Sequence, residues 1–542
     1  MNDLTSLPRA SAPALVLALL VASAFFIILL RLGDFYWFHG DEWVFLTQRM
    51  SGSLFAPHNE HVATVPILIY RLLFHSVGFG SYTPYQVPVL CMHLLTAVLL
   101  WLIMRRSQVN AWIATALAAV FVYFGPGEEN IIWAFQVGFT GALAMGLAQL
   151  LLANHPGGLS RRDVLGLLLG LVAILSAGFA PVLVAVTGAV TLLRRGLKVA
   201  LFHTVPLAVV FLGWWLAVGP ATISDPYGRE AGVAEVLHFV VTGYSGVFTS
   251  LAPHQWLAAL YALVLPAGLV VACAGRSPLA FARDAAMPLG LFGAGLVFLA
   301  VTGYGRWWLG EEAATQSRYL HLGAAMTLPA LGVAVDALTR NWRAAVWLAV
   351  LLIIAAIPPN VDRFGKQALF HENYFHKRQQ NFVSLAYSPY AQRVPPETRP
   401  DPLQLNVPIG WILQRRAEGT LPPLEPRANP LDPLLFGLAQ LRADNPYDNC
   451  SVIREPLDLS LRRGDEFGVA EGPWTRPKPG WFANQSFTLR LLRNGKPVGR
   501  PQMRHPSSGG LFRVQVDALE VRLGLAGDTE SFLLCLPDPP PQ

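Results

Sequence analysis

Eleven apolar segments run through the first 358 residues, and the short loops between them alternate between basic and acidic. Each segment approaches the length that spans a bilayer, and charge that alternates from loop to loop fixes which side each loop faces. The segments are 12–32, 86–104, 110–124, 131–153, 163–177, 179–193, 199–219, 256–275, 287–304, 319–338 and 342–358. One set of loops holds Arg105 and Arg106; Arg161 and Arg162; Arg194, Arg195 and Lys198; Arg276 and Arg283; and Arg340 and Arg343. The positive-inside rule puts this set in the cytoplasm. The other set carries Asp34, Asp41, Glu42, Glu60, Glu128, Glu129, Asp225, Glu230, Glu235, Glu311 and Glu312, and falls outside.

Composition agrees with a polytopic α-helical membrane protein. The chain is 53% hydrophobic and 14% charged, with mean hydropathy +0.42. A soluble domain carries about 25% charged residues. The net charge of +6 does not point to nucleic acid, because most Lys and Arg sit at span ends or in the tail, with no basic run interleaved with aromatics. The first apolar run lacks a convincing cleavage site, so it reads as a retained helix. Two further stretches, 62–79 and 233–251, are long enough to tempt a span assignment. Counting either would reverse every downstream loop, and both carry polar interruptions (Arg71 and His75; Glu235, His238 and Ser245). They read as helices along or re-entering the outer interface.

An odd number of spans leaves the chain after Pro358 outside. The sequence therefore divides into a transmembrane catalytic bundle (1–358), a Pro-rich extracytoplasmic connector (359–445) and a β-sandwich domain (446–542). The connector shows helical signals only at 408–418 and 431–442. Short β-type runs follow at 487–492, 512–516, 519–523 and 531–536, with Asn494-Gly495 as a hairpin turn. Cys450 and Cys535 lie near the two ends of this region. In an exported domain they can close a disulfide; two free thiols are the alternative. Cys91 and Cys273 lie inside spans and read as small core residues. Asn484-Gln485-Ser486 matches a short glycosylation sequon.

Chemistry concentrates in the outer loops. Asp41 and Glu42 follow the first span among Phe35, Tyr36, Trp37, Phe38, Trp43 and Phe45, which hold the pair at the membrane surface. Partial desolvation there makes a carboxylate a better base for an attacking hydroxyl; a solvated interface pair is the plain alternative. His58, Glu60 and His61 can ligate a divalent ion, or bind a phosphate when the histidines are protonated, or simply be hydrated. Glu128 and Glu129 stand in a very short loop at the bundle mouth, where they can hold an acceptor, support the site or form a solvated turn. Arg306, Arg318, Tyr319 and His321 cluster near the entrance of the tenth span. An arginine there can grip a lipid-linked phosphate bidentately, or snorkel to ordinary headgroups. No phosphate-binding glycine loop, dinucleotide fingerprint, nucleophile elbow or HExxH motif occurs.

This arrangement resembles the GT-C superfamily of membrane glycosyltransferases, which includes protein O-mannosyltransferases, aminoarabinose transferases and mycobacterial arabinosyltransferases. Asp41-Glu42 is similar to the family's acidic motif in the first outer loop, and Arg318-Tyr319 to the Arg-Tyr at a late span entrance. The resemblance covers 1–358 and does not include the His58–His61 cluster. It implies a polyprenyl-phosphate sugar donor drawn from the membrane and an inverting transfer outside the cytoplasm of the plasma (inner) membrane. The acceptor would be a hydroxyl of a cell-envelope glycan, lipid or protein. Asp41 would be the general base, with Glu42 orienting the acceptor or supporting Asp41. Arg318, with Tyr319, His321 and Arg306 or a metal at His58, Glu60 and His61, would steady the departing phosphate. A lipid-linked glycan flippase or transporter, a glycan polymerase or ligase, and a scaffold presenting the β-domain are the alternatives.

Overall fold

The computed structural model describes residues 11–32, 36–59, 61–219, 231–388, 391–392, 394–397, 399–400, 407–424, 438–442, 450–463, 465–471, 486–493, 496–504, 510–514, 518–526 and 532–535. Asp34, Glu60, Asp225, Glu230, Asn484 and the turn Asn494-Gly495 lie outside these residues.

The helices begin with α1 (Ala12–Leu32), α2 (Glu42–Thr47), α3 (Thr64–Val77), α4 (Thr83–Arg106), α5 (Ala111–Val122) and α6 (Glu129–Ile132). They continue with α7 (Val137–Ala153), α8 (Arg161–Ile174), α9 (Ala180–Arg195), α10 (Leu197–Ala217), α11 (Val233–Ser250) and α12 (Gln255–Cys273). The last are α13 (Pro278–Asp284), α14 (Ala286–Arg306), α15 (Ser317–Thr339), α16 (Arg343–Ile354), α17 (Ile357–Leu385) and α18 (Ile409–Ala417). Every one of the eleven expected segments contains a helix. Eight described helices are long and apolar enough to cross a membrane, as in a multi-pass membrane protein. The segments expected at 110–124, 163–177 and 179–193 form the shorter helices α5, α8 and α9, of 12, 14 and 16 residues.

Two compact units divide the chain. One comprises Met1–Tyr36, Gly52–Leu73 and Tyr82–Glu372; the other comprises Trp37–Ser51, Phe74–Ser81 and Asn373–Gln542.

In the first unit α15 is the most enclosed span, packed by α12, α14, α11, α4 and α5. Small residues permit this: a Cβ on Gly268 of α12 would sit 2.4 Å from the Ala334 carbonyl oxygen of α15. Close backbone approach is how membrane helices gain packing energy where burial from water is not available. The outward faces stay apolar, with Leu19, Leu30 and Leu216 exposed. The Asp163 carboxylate is fully enclosed. Asp163 closes a capping box with Ser160 at the start of α8 and meets Arg195 at 2.5 Å, His155 at 2.9 Å and His203 at 3.1 Å. Four partners offset the desolvation of one carboxylate and clamp α8, α9 and α10 together.

In the second unit Trp43 stacks on Phe382 (4.6 Å, 20°), and Trp37 meets both edge-on. Trp411 of α18 covers Phe79 at 5.3 Å. Nine strands follow among the described residues. They are β1 (Leu438–Arg442), β2 (Cys450–Ile453), β3 (Leu457–Arg462), β4 (Glu466–Glu471), β5 (Ser486–Arg493), β6 (Lys496–Arg504), β7 (Gly510–Val514), β8 (Ala518–Ala526) and β9 (Phe532–Cys535). They form two antiparallel sheets, in the orders β1-β7-β4-β9-β2 and β3-β8-β5-β6. Cys450 and Cys535 face each other across β2 and β9 and form a disulfide.

Three expectations are corrected. α17 runs through the stretch expected to be a connector without long helices: Pro358 and Pro359 occupy its first turn, where the missing N–H is harmless. Phe364, Phe375 and Phe382 then recur on its buried face. The helical signal at 431–442 ends instead in strand β1, because pairing with β7 satisfies its backbone; 431–437 lies outside the described residues. Cys91 is exposed on α4 and so is not a core residue.

Candidate active site

In the second unit the acid pair is split by its own turn. Glu42 is fully buried and accepts the His39 backbone N–H at 3.0 Å. The His39 ring Nδ1 lies 3.0 Å from the Trp37 carbonyl, so it carries the proton and donates there. Asp41 is half-buried at the N-cap of α2. Its carbonyl accepts from Val44 N–H at 3.0 Å, and its side chain makes no capping bond. Glu42 thus builds the turn, and the Asp41 side chain makes no capping bond to α2.

In the first unit a second cluster forms where α6 meets the start of α15. The Gly125-Pro126-Gly127 turn delivers Glu128 and Glu129. Glu129 N–H donates to Ser317 Oγ at 3.1 Å, and the Glu129 carboxylate accepts the Arg318 backbone N–H. Gln316 makes no side-chain cap, so Glu129 caps α15 from another segment and places a negative charge at its positive end. Burial raises the Glu129 carboxyl above the usual range, Arg318 opposes that, and Glu128 adds to it. The Tyr36 hydroxyl, buried and beside both glutamates, is pushed well up for the same two reasons.

The cations lie close by. Arg306, at the end of α14, donates to the Tyr319 hydroxyl at 3.0 Å. Arg318 donates to the Gln316 side-chain carbonyl and stands 5.2 Å over the Tyr319 ring. Both guanidiniums are half-buried while Tyr319 is buried. Two fixed arginines beside two carboxylates suit a ligand that joins an anionic group to hydroxyls.

His321, expected among the phosphate ligands, lies behind this cluster. It is fully enclosed, and both ring nitrogens are engaged: Nε2 with His93 Nδ1 at 2.9 Å and Nδ1 with Asn130 Nδ2 at 3.3 Å. No ring nitrogen remains for a phosphate. His58 and His61 exchange backbone bonds at 3.0 Å, and their rings lie against Phe135 and Phe139 respectively. Among the described residues no group of three His, Cys, Asp or Glu could hold a metal, and Glu60 is not among them.

Two participants escaped the sequence reading, His93 and Asn130. A histidine inside an apolar span is costly enough to demand a partner, and that was the available signal for His93.

Comparison with solved structures returns three similar chains. ArnT from Cupriavidus metallidurans matches in its apo state with 17% identity, over 77% of this chain and 90% of that one, at a TM-score of 0.46. The same protein bound to undecaprenyl phosphate matches with 18% identity, over 76% and 90%, at a TM-score of 0.46. The Archaeoglobus fulgidus oligosaccharyltransferase in complex with Zn and sulfate matches with 13% identity, over 77% of this chain and 58% of that one, at a TM-score of 0.41. No family model and no curated protein matches.

Proposed function

We propose that this chain is an integral membrane glycosyltransferase. It moves a sugar from a polyprenyl-phosphate donor to a hydroxyl of a cell-envelope glycan, lipid or protein, on the extracytoplasmic side and with inversion. The observation that carries the reading is Arg318 beside Glu129, with Arg306 held on Tyr319, at one end of a bundle whose outer faces are apolar. A lipid-linked phosphate needs both a guanidinium clamp and a route for its tail along the helices.

In the reaction Asp41 takes the acceptor proton as the hydroxyl oxygen attacks the anomeric carbon. The bond from that carbon to the phosphate oxygen breaks on the opposite face, and its electron pair leaves with polyprenyl phosphate. Arg318 and Arg306 stabilise the charge gathering on the departing phosphate, with Tyr319 fixing Arg306. Glu128 and Glu129 support the site and hold acceptor hydroxyls, and Glu42 keeps the Asp41 turn in shape.

The test is incubation of the purified protein with a panel of polyprenyl-phosphate sugars and envelope acceptors. Release of free polyprenyl phosphate with sugar transfer supports the proposal. Uptake of the intact lipid-linked sugar across proteoliposomes without bond cleavage would favour a flippase. Growth of a sugar chain on one lipid carrier, or transfer of a preformed glycan, would favour a polymerase or ligase.

A further inference from the structure

A buried chain of hydrogen bonds runs behind the arginine cluster, from the Val122 carbonyl to the Arg318 carbonyl. The His93 ring on α4 and the His321 ring on α15 are both fully enclosed, as is Asn130. His93 Nε2 lies 3.1 Å from the Val122 carbonyl at the end of α5. A carbonyl only accepts, so His93 carries its proton on Nε2 and its Nδ1 is bare. That Nδ1 must then accept from His321 Nε2–H at 2.9 Å, which leaves His321 Nδ1 to accept from Asn130 Nδ2–H at 3.3 Å. The second Asn130 amide hydrogen goes to the Arg318 carbonyl at 3.0 Å. Every proton position follows from the carbonyl that ends the chain. The same carbonyl stops the chain from carrying protons, because it has none to give or keep.

We infer that the His93–His321 pair is a positioning element that holds the Glu128–Asn130 loop and Arg318 in one register. The loop is seated directly on the ring: a Cβ on Gly127 would lie 2.9 Å from His321 Cβ and from its Cδ2. Asn130 then reads the position of His321 and passes it to the carbonyl of Arg318, the residue whose N–H the Glu129 carboxylate caps. An unbroken chain of buried bonds is stiff, since each unmade bond leaves an enclosed polar atom without compensation. The consequence for donor binding rests on Arg318 being a phosphate ligand; the positional role does not.

The experiment compares His321→Phe and His321→Gln in nanodiscs by hydrogen–deuterium exchange and by binding of polyprenyl phosphate. Glutamine retains one donor and one acceptor, as neutral histidine does, whereas phenylalanine has neither. In His321→Phe we expect faster exchange confined to 125–136 and 316–320, and binding weakened about tenfold. His321→Gln should restore both. Should His321→Phe fail to fold, Asn130→Ala cuts a single link, and the same two segments are read. Unchanged exchange there, an equal rise over all helices, or a glutamine variant no better than phenylalanine would overturn the inference. If the unsubstituted protein binds no polyprenyl phosphate, the donor assignment falls, and the exchange pattern still decides the positional claim.

Discussion

Arg306 donates to the Tyr319 hydroxyl across 3.0 Å, joining the last turn of α14 to the first turn of α15. The loop between them can change course without moving that cation, because the bond bypasses it. Tyr319→Phe removes the acceptor and leaves the packed ring, so it isolates this one contact. We expect it to weaken donor binding about tenfold, the lower end of the range for one hydrogen bond to a charged group. Tyr319→Phe should add little further loss on top of Arg306→Ala, because Tyr319 acts through that cation. Titration of polyprenyl phosphate into the single and double variants measures that coupling.

The raised Glu129 carboxyl makes a signed prediction about pH. Its burial disfavours the charged form, so its contribution to stability is complete below the ordinary glutamate range and is lost as pH rises through the raised value. The native protein should therefore lose stability over that rise relative to Glu129→Gln. Thermal unfolding of both in detergent across the acid-to-neutral range checks it. Parallel curves for the two proteins would contradict the assignment.

The Asp163 clamp should be the most fragile charged point in the first unit. Arg195→Ala leaves an enclosed carboxylate short of its closest partner, with a cost of about 3–5 kcal/mol. Asp163→Asn leaves the Arg195 guanidinium still held by the Ala153, Gly157 and Gly158 carbonyls, so it should cost less. Unfolding temperatures of the two variants rank them, and the opposite ranking would refute the clamp.

Reduction of Cys450–Cys535 should destabilise the β-rich part selectively. The bridge closes a loop with a sequence separation of 85, which corresponds to about 4–5 kcal/mol in the chain-entropy account. Limited proteolysis with and without reductant should show new cuts within the strands and none within α4 or α15.

Apolar runs long enough to span a bilayer leave little room for another reading, so the helical segments were legible from sequence. The paired cysteines and the strands at β5 and β7–β9 were legible too, because alternation and exported context both speak locally. α17 was hidden since two prolines at its start look like a stop, although a first turn has no N–H to lose there. The registry of His321 was hidden for a different reason. Its partners, His93 and Asn130, lie 228 and 191 positions away. Nothing in the local sequence distinguishes a ring nitrogen aimed at phosphate from one aimed at another imidazole. Glu129 as a cap for α15 was equally invisible, because capping signals are sought within a few residues of the helix they serve.

The general-base role of Asp41 is tested most directly by single-turnover transfer from a radiolabelled polyprenyl-phosphate sugar in nanodiscs, comparing the native protein with Asp41→Asn at matched folding. The account predicts that the variant still binds donor but transfers about 10²–10⁴-fold more slowly, the usual contribution of a general base. Transfer by Asp41→Asn at the native rate would contradict it.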